Sequence, residues 1–176
     1  TSAGIYDSSM MNDTETFGTA IISTSTKKYG TGSIYVNGNS NSLYTPVFVP
    51  TLGSGNWTLE MWLNSTTTDG SLCGQSSGAS NPWAILFVGG LFYFQNSTQS
   101  TNLMADVNVG NLLNGSWHHL AVVKNNGTTT CYVDGVSKAS AADSTNYAST
   151  NPLKIGGTTH TLYGGFTAYI DDFRIT

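Results

Sequence analysis

In the run Trp57-Thr58-Leu59-Glu60-Met61-Trp62-Leu63, the residues Trp57, Leu59, Met61 and Leu63 share one face of an extended chain. Thr58, Glu60 and Trp62 share the other. A period of two predicts a strand, and bulk on both faces predicts a central one. Short strand-like runs recur at Thr19 to Ser23, Ser33 to Asn37, Ser42 to Thr45, Trp57 to Asn64 and Ala84 to Val88. They continue at Leu91 to Phe94, His118 to Val123, Thr129 to Val133, Pro152 to Ile155 and Ala168 to Ile175. No helical period of any length accompanies them. Asn126-Gly127 and Asp134-Gly135 supply the positive φ that two-residue hairpin loops require, so Trp117 to Val136 reads as a three-stranded meander. The apolar run Trp83 to Phe94 is broken by Gly89-Gly90 and reads as a hairpin. It is too short to cross a bilayer as a helix, and no membrane insertion is expected. The pattern predicts an all-β, two-sheet antiparallel jelly-roll sandwich, with residues 1–176 as one domain.

Composition narrows the function. Only 9% of residues are charged and the net charge is -4, so the surface is solvated by hydroxyls and amides. Six scattered Lys and Arg residues cannot form a phosphate-binding surface, which excludes nucleic acid as a partner. Four Trp, nine Tyr and seven Phe supply the area for a core. The two cysteines, Cys73 and Cys131, each sit inside a predicted strand with an apolar or aromatic neighbour and read as buried free thiols.

Five blocks then occur in a telling order. They are Tyr6-Asp7-Ser8-Ser9, Lys28-Tyr29-Gly30-Thr31-Gly32-Ser33-Ile34-Tyr35-Val36-Asn37-Gly38, Trp57 to Leu63, Trp117 to Val136, and the ending Phe166-Thr167-Ala168-Tyr169-Ile170-Asp171-Asp172-Phe173-Arg174-Ile175-Thr176. Together they resemble the laminin-G-like domains of the concanavalin A-like lectin/glucanase superfamily, with Ala168 where the family carries Gly. The wording of the blocks is most similar to versions in tail, fibre and head-surface proteins of bacteriophages. The resemblance implies a jelly roll on a virion or other extracellular surface, acting in adhesion or glycan binding. Its partners would be a cell-surface glycan or host envelope polysaccharide, other virion proteins, and further copies of itself in a homo-oligomer. A purely structural decoration or fibre domain, and the binding module of a carbohydrate-active enzyme, are the alternatives.

The superfamily includes glycoside hydrolases, which need two carboxylates facing each other across a cleft. Only Glu15 and Glu60 are glutamates, nothing resembles the E-x-D-x-x-E strand of the family's glucanases, and Asp69, Asp106, Asp134 and Asp143 are dispersed in turns. No catalytic residues are expected. Glu60 falls where the family carries a structural Glu, and His119 reads as a packed imidazole with His118 on the opposite side. Trp57, Trp62 and Trp117 fall at core positions.

Jelly rolls commonly bring their termini together, which makes Asp7, Asp171 and Asp172 candidates for a structural calcium site, with the Asn37-Gly38 turn adding carbonyl oxygen. Single aromatics near small, adaptable residues are the candidate sugar platforms: Trp83 after the loop-like stretch Ser76 to Ser80, Tyr147, and the segment containing His160 and Tyr163. These are expected to form one rim.

Overall fold

The computed structural model describes residues 5, 8, 14–38, 40–45, 51–77, 80–96, 101–157 and 164–176. Fourteen strands run through them: β1 (Glu15–Thr16), β2 (Ile21–Ser23), β3 (Ser33–Asn37), β4 (Leu43–Thr45), β5 (Trp57–Asn64), β6 (Gly70–Ser77), β7 (Ser80–Val88), β8 (Leu91–Gln95), β9 (Asn102–Val107), β10 (His118–Asn125), β11 (Thr128–Val133), β12 (Val136–Ala142), β13 (Leu153–Ile155) and β14 (Thr167–Ile175). Sheet I has the order β1-β4-β13-β6-β7-β8-β9 and sheet II the order β12-β11-β10-β5-β14-β3-β2. All strand pairs are antiparallel, and the two sheets form a jelly-roll sandwich.

The hairpins follow their turn chemistry. Asn126 and Gly127, Asp134 and Gly135, and Gly89 and Gly90 all have positive φ, the left-handed pair of a type I′ turn. Alternation places the core. Leu59, Met61 and Leu63 of β5, Leu120 and Val122 of β10, and Ile170 of β14 meet Trp83, Ile85, Phe87, Phe92 and Phe94 of sheet I, all within 1% of full burial. The ladder is regular at Ala168, which pairs with Val36. The irregularity of β14 lies further on, between Asp171 and Arg174, where Asp172 has a φ of 51°. This bulge keeps Asp171 and Arg174 on one face while Phe173 and Ile175 pack toward the core.

The stretch expected as a flexible rim loop is mostly strand, since β6 continues through Ser77 and β7 begins at Ser80. Gly78 and Ala79 lie outside the described residues. Cys73 and Cys131 are free, buried thiols. Burial pushes the Cys73 thiol well up, and pushes Cys131 up to about 12 despite the opposing charge of Lys138, so neither is a thiolate nucleophile near neutral pH.

Candidate functional site

The described members of the expected rim, Trp83 and Tyr147, do not form an exposed surface. Trp83 continues the inward alternation of β7 with Ile85 and Phe87 and is 0% exposed. Its Nε1 donates to Gln75 Oε1 at 2.9 Å, and Gln75 Nε2 donates to the Asn151 carbonyl at 2.9 Å. A ring without exposed area cannot stack on a sugar, so Trp83 is a core residue. Tyr147 is likewise 0% exposed, wedged against Trp57 and Phe94 with centroids at 5.5 and 6.0 Å. His160 and Tyr163 lie outside the described residues. Gly164, next in sequence to Tyr163, accepts a hydrogen bond from the Ser71 amide, whereas the β6–β7 hairpin tip lies beyond Ser77. Those two ends of β6 are about 20 Å apart.

Tyr147 belongs instead to a buried polar cluster. Its hydroxyl donates to Asp143 Oδ2 at 2.8 Å, Thr129 Oγ1 donates to the same oxygen at 2.6 Å, and the Thr145 amide donates to Oδ1 at 2.9 Å. Lys124 Nζ lies 3.7 Å from Asp143 and donates to the Thr145 carbonyl at 2.6 Å, with both charged side chains buried. Burial pushes the Asp143 carboxyl up, but the hydrogen bonds outweigh it and hold the group below its ordinary value. The cluster pins the segment after β12 onto β10 and β11.

The described members of the expected calcium set are separately engaged. Asp171 Oδ2 accepts the amides of Lys28 and Tyr29 at 3.0 and 2.9 Å, and Asp172 pairs with Arg174 Nη2 at 3.2 Å. Asn37 sits opposite Thr167, four residues along β14 from Asp171 and so about 13 Å away. Asp7 lies outside the described residues. Among the described residues no three His, Cys, Asp or Glu side chains gather, and a calcium site there would need Asp7 and carbonyl oxygens beside Asp171 and Asp172.

What Asp171 does instead explains why the sequence blocks occur together. Trp62 is not in the core; it stands half-buried on the outer face of sheet II, cross-strand from His119 and Asp171. The Lys28 ammonium lies 3.9 Å from the centre of its ring, and the Tyr29 and His119 rings lie 5.8 and 5.3 Å away. Glu60 holds His119 Nε2 at 3.2 Å and Arg174 Nε at 3.4 Å. Residues from four of the blocks thus form one clamp that closes segment 24–32 over the sheet, and Ser33 adds a hydrogen bond to the Thr26 carbonyl at 2.6 Å. His118 is separate, bonded to Asp134 at 2.7 Å and facing Asn114 at 3.2 Å. Replacing Asp171 with Ala removes two charge-assisted bonds and should cost about 2 kcal/mol. In urea unfolding and limited trypsin digestion, the variant should be less stable and should be cut sooner after Lys27 or Lys28. Unchanged stability and cleavage would contradict the clamp.

The two outer faces differ. On sheet I, Ser71, Ala84, Leu86 and Gln95 alternate with core residues yet are themselves buried, so that face is covered there. On sheet II, the row beside the clamp is open. Asn64, Tyr169, Tyr35 and Ile21 stand directly across from one another on β5, β14, β3 and β2. The Tyr35 and Tyr169 rings lie 4.8 Å apart with a 37° tilt, both half-buried, and Ile21 is 47% exposed. In the next row, Thr167 Oγ1 donates to Asn37 Oδ1 at 3.0 Å. Among the described residues, neither tyrosine hydroxyl, nor the Asn64 side chain, nor Asn37 Nδ2 makes a hydrogen bond. This row is the candidate site, and none of its residues was among the sequence-derived ligand candidates. Its signal was present, because each tyrosine is the outward residue between two apolar ones, Ile34-Tyr35-Val36 and Ala168-Tyr169-Ile170.

Comparison with known proteins bears on the fold. Domain 4 of AbnA, a GH43 extracellular arabinanase from Geobacillus stearothermophilus solved with arabinotriose, superposes with a TM-score of 0.66 at 19% identity, covering 90% of this chain and 75% of that one. The botulinum neurotoxin serotype D binding domain gives 0.65 at 14%, covering 94% of this chain, which spans 43% of the toxin domain. The cellulose-induced protein Cip1 gives 0.60 at 14%, covering 90% and 85%. No curated protein matches the chain. Likeness at these identities establishes the shared sandwich. The Laminin_G_3 family model, described as concanavalin A-like lectin/glucanases superfamily, matches residues 37–176, from the end of β3 through the meander to the C-terminal strand. The chain belongs to the concanavalin A-like lectin/glucanases superfamily.

Proposed function

We propose that this chain is a non-catalytic glycan-binding module that mediates attachment from an extracellular surface, with a virion as its setting. The observation that carries the reading is the open row on sheet II, where half-buried tyrosines lie beside Asn64 and Asn37, and where the tyrosine hydroxyls, the Asn64 side chain and Asn37 Nδ2 make no hydrogen bond among the described residues. A sugar ring offers an apolar face to an aromatic ring and hydroxyls to amides, so this is the chemistry such a surface suits. Hydrolysis finds no support among the described residues: Glu60, the glutamate of the clamp, is bound to His119 and Arg174 rather than facing a second carboxylate. The virion setting rests on the wording of the segments Lys28 to Ser33 and Tyr169 to Thr176.

A second reading, an accessory module of a carbohydrate-active enzyme, draws on the likeness to a domain of an extracellular arabinanase in complex with arabinotriose. Both readings predict retention on polysaccharides without release of reducing sugar. A glycan array combined with a reducing-sugar assay on the same polysaccharides tests this. Binding without release is expected; release by the purified chain, or no binding to any glycan, would contradict it.

A further inference from the structure

We propose that the row Ile21, Tyr35, Tyr169 and Asn64 binds an uncharged polysaccharide chain laid across the strands of sheet II. The inference rests on the glycan reading and adds the class and direction of the ligand. The row itself holds no ionisable carboxylate or ammonium, and its adjoining polar groups are Asn37 and Thr167. Among the described residues the charges on the same face belong to the neighbouring clamp, where Arg174 binds Glu60 and Asp172, Asp171 accepts two amides, and the Lys28 ammonium is held on the Trp62 ring. The row itself offers an anionic sugar no cation among the described residues, and the protein's net charge of -4 would repel it. An uncharged chain meets two tilted rings for its apolar faces and amide and phenol groups for its hydroxyls.

Direction follows from register. Directly opposed residues form a line perpendicular to the strands, and four adjacent strands carry it over about 14 Å. That is longer than one sugar ring, so affinity should rise with oligosaccharide length and level off once the chain spans the row. Tyr35 and Tyr169 supply the stacking, Ile21 extends the apolar line to the sheet edge, and Asn64 closes its other end.

Affinity electrophoresis and calorimetry with soluble neutral polysaccharides (arabinan, xyloglucan, dextran) and anionic ones (alginate, hyaluronan) test the assignment on the full chain. At least one neutral polymer should bind, with an affinity that does not fall as salt rises. Tyr35→Ala and Tyr169→Ala should weaken it by about tenfold or more, and Tyr35→Phe and Tyr169→Phe should retain most of it. Because an alanine could loosen the sheet, Ile21→Asp gives a second readout: it places an unmatched charge at an exposed end of the row and should weaken binding with little change in melting temperature. Neutral binding that survives all of these variants overturns the assignment and leaves glycan binding standing, as does salt-sensitive preference for the anionic polymers. Retention on no glycan overturns both. A change in sedimentation on Tyr35→Ala or Ile21→Asp would identify the row as a contact between copies, and would also overturn it.

Discussion

Trp83→Ala should destabilise the protein by about 3–5 kcal/mol, the range for deleting a large aromatic side chain from a core. The ring is wholly enclosed among Ile85, Phe87 and the facing side chains of sheet II, so its loss leaves a cavity that the surrounding sheet can only partly close. It also strands Gln75 Oε1, an acceptor inside a buried residue, without its indole donor. Trp83→Phe should recover much of the packing but not that hydrogen bond. Urea unfolding measures both variants, and glycan binding by the folded fraction should stay at the wild-type level. A loss under about 1 kcal/mol accompanied by loss of binding would return Trp83 to a surface role.

Asp143→Ala should be as costly, about 3–5 kcal/mol, because it leaves the Lys124 ammonium buried without its counter-charge. Thr129, Tyr147 and the Thr145 amide lose their acceptor in the same step. Asp143→Asn keeps the shape and removes the charge, and should fall between wild type and Ala. The pH dependence has a definite sign. The folded-state carboxyl is held below its ordinary value, so the native protein binds this proton less readily than the unfolded chain does. The contribution is present above the unfolded value of about 3.9 and is lost as pH falls through the folded value. Wild type should therefore lose stability below about pH 4 more steeply than Asp143→Asn does. Equal slopes in that window would show that Asp143 does not contribute to acid lability.

Local signals were legible in the sequence, and long-range ones were not. β3 and β5 have the bounds their alternation predicted, and the Asn-Gly and Asp-Gly turns fall at the meander's hairpins, since both depend on neighbouring residues alone. β6 was legible only as a strand around Cys73, without bounds, because Gly70-Ser71-Leu72-Cys73-Gly74-Gln75 lacks β-branched and aromatic residues. Its smallness answers to β7: a Cβ on Gly74 would stand 2.7 Å from the Trp83 carbonyl oxygen and 2.9 Å from Ala84. Trp83 was misplaced because the Ser/Gly stretch before Pro82 outweighed the inward alternation that follows it. Trp62 was assigned to the core because bulk on both faces of a strand does not say which face another layer covers. Its actual cover comes from Lys28 and Tyr29, whose amides bond to Asp171 across more than 140 positions of sequence. The blocks by which the family was recognised thus converge on a fold-closing clamp, and the candidate binding row lies beside it.

Backbone amide chemical-shift mapping during titration with a neutral oligosaccharide long enough to span the row tests the central claim most directly. The account predicts saturable shifts at Asn64, Tyr169, Tyr35 and Ile21 and at Asn37 and Thr167 beside them, with sheet I unmoved. Shifts confined to the β6–β7 hairpin tip and the segment before Gly164, with the tyrosine row silent, would contradict it.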